Sequence, residues 1–337
     1  MTQNPDIQTL FESFSRQNIL VIGDVMIDAY LWGKVDRISP EAPVPIVSLK
    51  KRESRLGGAA NVALNVQAMG ANPILCSVIG NDEKSHTFFD LLKVQGLETI
   101  GLISSDNRIT TTKFRVIGNN AQMLRVDEET EKELTDSETR QLLEKIAGII
   151  TERPVHAIVF EDYDKGVITP LLIKKVVEMG RENKIPVVVD PKKKNFLNYR
   201  GVTLFKPNLK ELREGLKLDD DLDSMEKIMD AVKQLQEMLD VEIALATLSE
   251  KGVCFSTRSA QGNYHTGSIP AYVRDIADVS GAGDTVISII ALCMAAGVDV
   301  ETMARLSNLA GGLVCEYVGV VPVNKDRLLE EALKTFQ

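Results

Sequence analysis

The feature that most constrains the fold is a repeated alternation between short apolar strands and helical stretches. Six runs rich in β-branched and aliphatic residues recur along the 337 residues. They are NILVIGD at 18, PILCSVIG at 73, VHAIVFED at 155, IPVVVDP at 185, TLFKPN at 203 and IALATLS at 243. Near-continuous apolar strands suit a sheet that is buried on both faces. The alternation therefore predicts an α/β fold with a doubly wound, mostly parallel sheet flanked by helices.

The stretches between these strands carry recognisable helix ends. In ITPLLIKKVVEMGRENK, Thr169 is a candidate N-cap and Pro170 occupies the first helical position. The stretch NVALNVQAMG ends at Gly70, where a left-handed residue commonly closes a helix.

Two segments interrupt this alternation of strands and helices. One is residues 33–55, which contain three prolines, and the other is the Thr-rich residues 108–127, which contain an Asn-bearing turn. Both have the alternating character of antiparallel strands outside the main sheet. We expect them to form a small lid over the carboxyl ends of the parallel strands, where open α/β folds bind ligands. A lone small sheet exposes an apolar face, so a homodimer through the lid is expected. We find no repeat or dividing linker, so residues 1–337 should form one domain.

Composition excludes several classes of function. The formal net charge is −9 and 44% of residues are hydrophobic, which argues against disorder and against a nucleic-acid or anionic membrane surface. The first residues are too acidic and polar for a signal peptide, and apolar runs fall short of a membrane span. We expect a cytoplasmic protein.

Cysteine and histidine do not indicate a metal site. Cys76, Cys254, Cys293 and Cys315 are widely spaced among apolar neighbours and form no CxxC motif, which indicates reduced core thiols. The three histidines, His86, His156 and His265, are isolated, so zinc is not expected.

The stretch DVSGAGDT, residues 278–285, is the first candidate for chemistry. Gly281, Ala282 and Gly283 leave room for backbone amides to approach an anion, and the apolar run that follows should begin a helix. Asp284 would lie in the first turn, where a carboxylate can accept a proton from a hydroxyl held beside this anion hole. The pairing suits phosphoryl transfer, whereas Walker A and G-x-G-x-x-G motifs do not occur. The alternative is a glycine-rich helix entry with Asp284 merely favoured by the helix dipole.

A second small-residue stretch, RLGGAANVALN, brings Gly57 and Gly58 to the start of another helix, with Asn61 one turn in. Glycines let a polyhydroxy ligand lie against the backbone, and an amide offers both donor and acceptor to vicinal hydroxyls. Asp24 and Asp28 follow the first strand and add paired carboxylates at the same edge. The alternatives are a helix-packing glycine pair and a surface role for Asp28.

GGAANVALN and DVSGAGDT resemble the two signatures of the ribokinase-like (PfkB) carbohydrate kinases, in the same order, and the likeness covers essentially the whole chain. More narrowly, GDVMIDAYLWGKVDRISPEAPVPI, TKFRV, EDYDKG and DPK resemble the bacterial D-glycero-β-D-manno-heptose-7-phosphate kinases. The phrase RISPEAPVP is a specific match.

The resemblance implies a transfer from ATP to the anomeric O1 of the heptose 7-phosphate, which yields the 1,7-bisphosphate for lipopolysaccharide precursor synthesis. Asp284 would be the base, and the amides of Ala282 and Gly283, after Gly281, would stabilise the transferred group. The sugar would be held by Asp24, Asp28, Gly57, Gly58, Asn61 and Asp162. A dianion in an acidic protein needs a local basic pocket, and the candidates for binding the 7-phosphate are Lys113, Arg115, Gln122, Arg125, Lys165 and Lys192. The alternative for each charged lid residue is an orientation toward solvent.

For the nucleotide, KPNLKE resembles the family's N-x-x-E element, in which Glu211 acts on Mg²⁺ through water and Asn208 lies near the phosphates. Asn208 and Glu211 also have the spacing of a capping box, and both roles can hold at once. The other implied nucleotide positions are Thr247, Ser249 and Gly252 of TLSEKG, where Ser249 replaces a family glycine, and Asn308. Asp278 and Ser280 match positions that help bind a monovalent cation in relatives, so K⁺ is left open beside ATP and Mg²⁺.

The sequence leaves two other functions open. One is a kinase of the same fold for ribose, fructose phosphate or another sugar, and the other is a sugar-phosphate sensor without turnover. Many relatives carry a nucleotidyltransferase domain after the kinase, but the chain contains no H-x-G-H motif, so a kinase alone is expected.

Overall fold

The computed structural model describes residues 6–119, 121–218, 221–259, 261–272 and 274–336. The predicted turn of the second lid segment includes Asn120, which lies outside the described residues. The described strands are β1 Asn18–Gly23, β2 Val25–Ile38, β3 Pro45–Gly58, β4 Asn72–Gly80, β5 Gly101–Ser105, β6 Thr112–Gly118, β7 Ala121–Glu128, β8 Ala157–Glu161, β9 Val187–Asp190, β10 Leu204–Phe205, β11 Ile243–Thr247, β12 Val253–Arg258 and β13 Tyr264–Ile269. The described α-helices are α1 Ile7–Ser13, α2 Ala59–Ala68, α3 Glu83–Gln95, α4 Asp136–Glu152, α5 Pro170–Asn183, α6 Leu209–Leu216, α7 Met225–Leu239, α8 Ala282–Ala296, α9 Val300–Val314 and α10 Lys325–Thr335.

The main sheet has nine strands in the order β13-β12-β11-β10-β9-β8-β1-β4-β5. All neighbours from β11 to β5 pair in parallel, and β12 and β13 add an antiparallel edge. The six strands predicted from apolar runs are confirmed as β1, β4, β8, β9, β10 and β11. The α/β prediction is therefore confirmed, while β5, β12 and β13 were not anticipated.

Both faces of the main sheet are covered, as the apolar strands require. Along β1, Ile19 and Val21 face one core, and Leu20 and Ile22 face the other. Residues of α1, α2, α3, α8, α9 and α10 pack in the first core, and residues of α4, α5, α6 and α7 pack in the second. The alternation of side chains across a strand places successive apolar residues in different cores.

A separate four-stranded sheet has the order β3-β2-β6-β7 and is called the small sheet below. It comprises residues 25–58 and 112–128, so it begins earlier than the predicted segment at 33 and ends at Gly58 rather than at 55. The pairs β2–β3 and β6–β7 are antiparallel as predicted, but β2 and β6 join the two segments in parallel. The longer β2 carries Asp28 into the small sheet, directly after the end of β1.

The helix ends follow the predicted chemistry. Thr169 caps α5, because its side chain accepts from the backbone N–H of Leu172, and Pro170 is the first helical residue. Gly70, with φ +91°, follows the end of α2.

The cysteines are free thiols, with Cys76, Cys254 and Cys293 buried and Cys315 half-buried. Nδ1 of His156 accepts from the backbone N–H of Asn18 at 2.9 Å, so this histidine ties β1 to the segment before β8. Within the described ranges, every helix is too short or too polar to cross a lipid bilayer.

Candidate active site

The carboxyl ends of the central parallel strands converge on one edge of the main sheet. Asp24 follows β1, Glu161 ends β8, Asp190 ends β9 and Lys206 follows β10. All four side chains are buried. Because parallel strands all end at the same edge, polar groups from segments distant in sequence meet there.

Helix α8 begins at this edge with the predicted glycine-rich entry. Gly281 has φ +80° and precedes the first helical residue, Ala282. The amide of Ala282 makes only a long bond of 3.3 Å to the carbonyl of Val279. A Cβ on Gly283 would lie 3.4 Å from Oδ2 of Asp190. The free end of the helix therefore faces the cluster of charges and presents donors suited to an anion.

A buried ion pair lies beside that helix end. Lys206 Nζ is 2.8 Å from Asp190 Oδ2, and both side chains are buried. The pair provides a positive group next to the anion hole and a carboxylate that holds it in place. Sequence reasoning had assigned neither residue a role.

Asp284 lies in the first turn of α8 with only 4% of its surface exposed. Its Oδ2 accepts from Asn61 Nδ2 at 2.7 Å, and its Oδ1 accepts from the Tyr163 hydroxyl at 2.7 Å. Burial raises the pKa of Asp284, the two hydrogen bonds lower it, and the charges of Asp190 and Asp28 raise it again, to about 6. A carboxyl with this pKa is ionised at neutral pH yet is a much stronger base than an exposed aspartate.

Asn61 connects this base to the second glycine-rich stretch. It is fully buried on α2, and its backbone carbonyl oxygen accepts a hydrogen bond from Asn65 Nδ2 at 2.9 Å. Asn65 Oδ1 in turn accepts from the Thr285 hydroxyl at 3.0 Å, which ties α2 to α8. The structure therefore brings the two predicted signatures together at one carboxylate.

The glycines before α2 are required by close packing. Gly58 has φ +60°, and a Cβ there would overlap the carbonyl of Asp24. A Cβ on Gly57 would overlap the carboxylate of Asp28. The two glycines thus let β3 pass directly over both aspartates.

Asp28 and Arg115 form an ion pair between β2 and β6 of the small sheet. Both residues are largely buried, and the Arg115 guanidinium also lies 5.5 Å from the centroid of the Tyr30 ring. Arg55 covers the same ring at 5.0 Å and donates to the carbonyl of Val320. Arg115 therefore compensates the charge of Asp28 within the small sheet.

Asp24 and Asp162 make hydrogen bonds within the protein, and their contact with sugar stays a prediction. Both carboxylate oxygens of Asp24 accept backbone N–H groups, those of Tyr163, Lys165 and Val167, at 2.8 to 3.1 Å. Asp162 is buried as well. It accepts from the Asp164 amide, from Asn195 and from the Tyr199 hydroxyl. Asp24 therefore positions the loop after β8, and Asp162, which lies on that loop, ties it to Asn195 and Tyr199 in the segment after β9.

The basic residues suggested for a sugar phosphate are paired with carboxylates in this structure. Lys113 Nζ is 3.1 Å from Asp127 and 3.0 Å from Glu129, and Lys165 Nζ is 2.8 Å from Glu129. Arg125 is half exposed and pairs with Asp127 at 2.9 Å. The cluster is close to neutral as it stands.

The remaining two candidates for the sugar phosphate lie apart from that cluster. Gln122 is exposed on β7 opposite Ile117. Lys192 lies 5.4 Å from the centroid of the Tyr163 ring, and its Nζ is 2.7 Å from Glu211. Burial lowers the pKa of Lys192, but Asp190 and Glu211 raise it overall, so this ammonium stays charged.

The N-x-x-E element forms the capping box that its spacing predicts. Asn208 accepts from the amide of Glu211 at 2.9 Å, and Glu211 accepts from the amide of Asn208 at 2.9 Å. Since Glu211 also accepts from Lys192, its carboxylate is held rigidly at the edge of the sheet.

The residues implied for nucleotide binding follow β11 and lie on α9. Thr247 ends β11, and Ser249, which replaces a family glycine, has φ +54°. Gly252 has φ +89°, and a Cβ there would overlap the carbonyl of Ile269. Asn308 Nδ2 donates to the carbonyl of Pro270 at 2.8 Å, which links α9 to the segment after β13. The turn thus keeps a glycine-like backbone at position 249 despite the substitution.

Asp278 organises the segment before α8. Its Oδ1 accepts from the amide and the hydroxyl of Ser280, and its Oδ2 accepts from the amide of Gly319. Burial raises the pKa of Asp278, but these hydrogen bonds lower it overall. The carboxylate therefore stays ionised and ties the entry of α8 to the segment after α9.

A family model described as pfkB family carbohydrate kinase matches residues 16–327, which is most of the chain. The chain belongs to the pfkB family of carbohydrate kinases. It is therefore a phosphotransferase that acts on a sugar hydroxyl, and the prediction of this family from the two glycine-rich signatures is confirmed.

Two relatives of this kinase are named Bifunctional protein HldE. The protein from Geobacter sulfurreducens is 37% identical over 324 residues, and the one from Methylobacillus flagellatus is 39% identical over 313 residues. The alignments cover 96% and 93% of this chain but 64% and 62% of the relatives. The kinase thus spans less than two thirds of the length of these relatives.

Solved structures of similar fold include phosphofructokinase-2 from Escherichia coli in complex with substrates and products, with a TM-score of 0.77 and 17% identity. That match covers 95% of this kinase and 99% of the other chain. Ribokinase from Arabidopsis thaliana, complexed with ribose and ATP, has a TM-score of 0.69 at 17% identity and covers 93% of this kinase and 98% of that chain. These likenesses confirm the ribokinase-like fold.

Sequence reasoning missed several groups in the site of this kinase. They are Tyr163 on the base, the buried Glu161, and the pair Asp190 and Lys206. The signal was available, because each residue lies within or directly after a predicted strand at the carboxyl edge. Burial and the charges of Asp190 and Asp284 raise the pKa of Glu161 well above its usual range, and its Oε2 has no hydrogen-bond partner among the described residues.

Proposed function

We propose that this kinase transfers the γ-phosphoryl group of ATP to the anomeric O1 of D-glycero-β-D-manno-heptose 7-phosphate. The observation that carries the proposal is the geometry of Asp284. Its carboxylate is buried in the first turn of α8, beside the N-terminus of the helix and the Lys206–Asp190 pair. A base that adjoins an anion hole is what phosphoryl transfer to an alcohol requires.

In this proposal Asp284 accepts the proton of the sugar hydroxyl as its oxygen attacks phosphorus. The amides of Ala282 and Gly283 and the ammonium of Lys206 bear the negative charge that spreads over the transferred group. Asn61 holds Asp284 Oδ2 at 2.7 Å and so fixes the plane of the carboxylate. Most of the catalytic effect then comes from position and electrostatics, as expected for this reaction class.

The donor set at this edge fits Mg²⁺ held mainly through water. Among the described residues, no cluster of three or more His, Cys, Asp or Glu side chains could hold a metal ion. Mg²⁺ commonly keeps several waters and uses one or two carboxylates together with substrate phosphates. Glu211 accepts from Lys192 and from the Asn208 amide, and its remaining lone pairs suit a water of the metal. When bound, the ion would neutralise phosphate charge.

A monovalent cation near Asp278 and Ser280 remains part of the proposal. Its test is the rate with Mg-ATP in Na⁺, K⁺ or tetramethylammonium salts at equal ionic strength. A rate that depends on K⁺ and loses that dependence in Asp278→Asn supports the site. Equal rates in all three salts contradict it.

The choice of sugar rests on the resemblance of RISPEAPVP and EDYDKG to heptose kinases and on relatives that carry the HldE name. Lys113 and Lys165 near the small sheet would supply the positive charge that a 7-phosphate needs once the phosphate displaces the carboxylates paired with them. Lipopolysaccharide precursor synthesis is the corresponding proposed role.

The direct test incubates the protein with Mg-ATP and a panel of sugars, then measures ADP release and the phosphorylated product. We expect turnover with the heptose 7-phosphate and at least about a 100-fold loss in Asp284→Asn. Turnover with ribose or fructose 6-phosphate alone would favour the second kinase hypothesis. Tight binding of a sugar phosphate without ADP release would favour a sensor.

Glu129 offers a sharper test of the phosphate pocket, because it bridges Lys113 and Lys165. A phosphate that binds these lysines must compete with its carboxylate. Glu129→Gln keeps the shape and removes the charge, so we expect the KM for the heptose 7-phosphate to fall severalfold. The control is Asp36→Asn, whose exposed partner Lys34 lies elsewhere on the small sheet. An unchanged or higher KM in Glu129→Gln would place the phosphate elsewhere.

We also propose a homodimer through the small sheet. Its strands expose Met123, Leu124 and Val126, with 43%, 57% and 46% of their surfaces accessible. Leu124→Asp should convert a dimer to a monomer in sedimentation velocity, whereas Val94→Asp, on the exposed face of α3, should not. A monomeric wild-type protein would refute this proposal.

A further inference from the structure

Both carboxylate oxygens of the base, Asp284, already accept hydrogen bonds from side chains of the protein. Asp284 has a donor on each oxygen, Asn61 on Oδ2 and the Tyr163 hydroxyl on Oδ1, both at 2.7 Å. A sugar hydroxyl that is to give its proton to this carboxylate must approach one of these oxygens. Each oxygen keeps a second lone pair, but only 4% of the surface of Asp284 is exposed, so a group that now covers the carboxylate has to move before a sugar hydroxyl can reach it.

Asn61 is the donor that cannot move. It is fully buried on α2, a Cβ on Gly281 would lie 3.1 Å from its Nδ2, and its carbonyl accepts from Asn65. Asn65 also accepts from Thr285 of α8 and from the amide of Val323. A change at Asn61 would disturb two packed helices, so Oδ2 stays occupied.

Tyr163 is the donor that can move. It lies on the loop after β8, is only partly buried, and packs its ring under the ammonium of Lys192 at 5.4 Å. The backbone of this loop is held by Asp24, which accepts from the amides of residues 163, 165 and 167. Rotation of the side chain alone thus frees Oδ1 while the loop stays in place.

We propose that the Tyr163 hydroxyl is a gate on the base, which occupies Oδ1 of Asp284 until a sugar hydroxyl displaces it. This inference rests on the proposed role of Asp284 as the base. In the absence of sugar, the phenol keeps water from the same oxygen. Tyr163 is therefore a positioning residue that suppresses transfer of the phosphoryl group to water and favours transfer to the sugar.

The test is Tyr163→Phe in the full chain with Mg-ATP and no sugar. We expect ADP release to rise about tenfold, the factor that one hydrogen bond to a charged group carries. With the heptose 7-phosphate, the KM should fall because no hydroxyl has to be displaced, and kcat should stay within about threefold of the wild type. A role in folding alone would lower kcat and leave ADP release without sugar unchanged.

Tyr199→Phe is the matched control. Its hydroxyl donates to Asp162 Oδ2 at 2.7 Å, in the same buried region, and makes no hydrogen bond to Asp284. It should leave ADP release without sugar at the wild-type rate. An unchanged rate in Tyr163→Phe, with Asp284→Asn inactive, would overturn the gate and keep the proposed function. Full sugar turnover in Asp284→Asn would overturn the proposed function itself.

Discussion

Asp284→Asn should make the protein more stable at neutral pH while it removes activity. The carboxyl is nearly fully buried, and burial is the main reason that its pKa rises from 3.8 to about 6. Between these two values the folded protein binds more protons than the unfolded chain. Stability of the wild type therefore falls as the pH rises through this window, and the cost is complete above about pH 6.

The size of the effect follows from the pKa values. A difference of about two in pKa corresponds to about 3 kcal/mol. Asparagine has no charge to bury, and its amide group can donate to the Tyr163 oxygen while its carbonyl accepts from Asn61. We expect Asp284→Asn to raise the free energy of unfolding by about 2–3 kcal/mol at pH 7.5, with the gain vanishing near about pH 4.

The assay is urea denaturation of both proteins, followed by circular dichroism at several pH values from about 4 to 8. Asp82→Asn is a control of opposite sign. Burial raises the pKa of Asp82, but hydrogen bonds from Thr110 and Ser85 lower it overall, so its charge stabilises the fold at neutral pH. This control should lose stability at pH 7.5, and the loss should begin to shrink only at the acid end of the series, where Asp82 of the unfolded chain starts to bind its proton. A destabilised Asp284→Asn at neutral pH, or a gain that is equal at every pH, would refute the reasoning.

Three more results are expected. The kcat/KM of the wild type should fall tenfold per pH unit below about pH 6, so that its value at pH 5 is about a tenth of the plateau. A pH–rate profile that starts to fall only near about pH 4 would contradict the pKa of Asp284. Lys206→Met should lower the free energy of unfolding by about 3–5 kcal/mol in chemical denaturation, because it leaves Asp190 buried without its partner. The double variant with Asp190→Asn should recover much of this loss. Equal stability of the single and the double variant would argue against the ion pair. Ser249→Gly should stabilise the protein by about 1 kcal/mol in thermal melts, because position 249 has φ +54°. A lower Tm would indicate that a contact of the serine hydroxyl outweighs the backbone strain.

The central strands were predictable because both of their faces are buried. A strand such as β1 has apolar residues at successive positions, and this pattern is visible without any tertiary information. The edge strand β13, YHTGSI, has mostly half-buried side chains and no apolar run. Its place in the sheet follows from pairing with β12, which a local pattern does not encode.

Strand β2 begins at Val25, earlier than the predicted segment at 33, because of how the two sheets connect. Asp24 alone separates β1 from β2, so the chain passes from one sheet to the other without a turn signal. The stretch VMIDAYLWG is apolar enough for either sheet. Only the pairing with β3 and β6 assigns it to the small sheet, and the pairing with β6 joins residues 85 positions apart, such as Ile27 and Thr112.

The sequence indicated which residues lie in the site but not which contacts they make. The spacing of Gly281 to Asp284 indicated a helix entry beside a carboxylate, and the structure has both. The hydrogen bonds of Asp24 could not be predicted, because its partners are backbone amides of a loop more than a hundred residues later.

The surplus of acids at the carboxyl edge explains why Asp284 needs two donors. Burial raises the pKa of Glu161, of Asp162 to about 7, and of Asp284 to about 6. All three carboxyls are thus pushed toward the neutral form, and a neutral Asp284 could not accept a proton. The hydrogen bonds from Asn61 and Tyr163 are the contributions that lower the pKa of Asp284. Since Asn61 remains when Tyr163 is displaced, the incoming sugar hydroxyl replaces the second donor, and the carboxylate keeps two hydrogen bonds throughout the exchange.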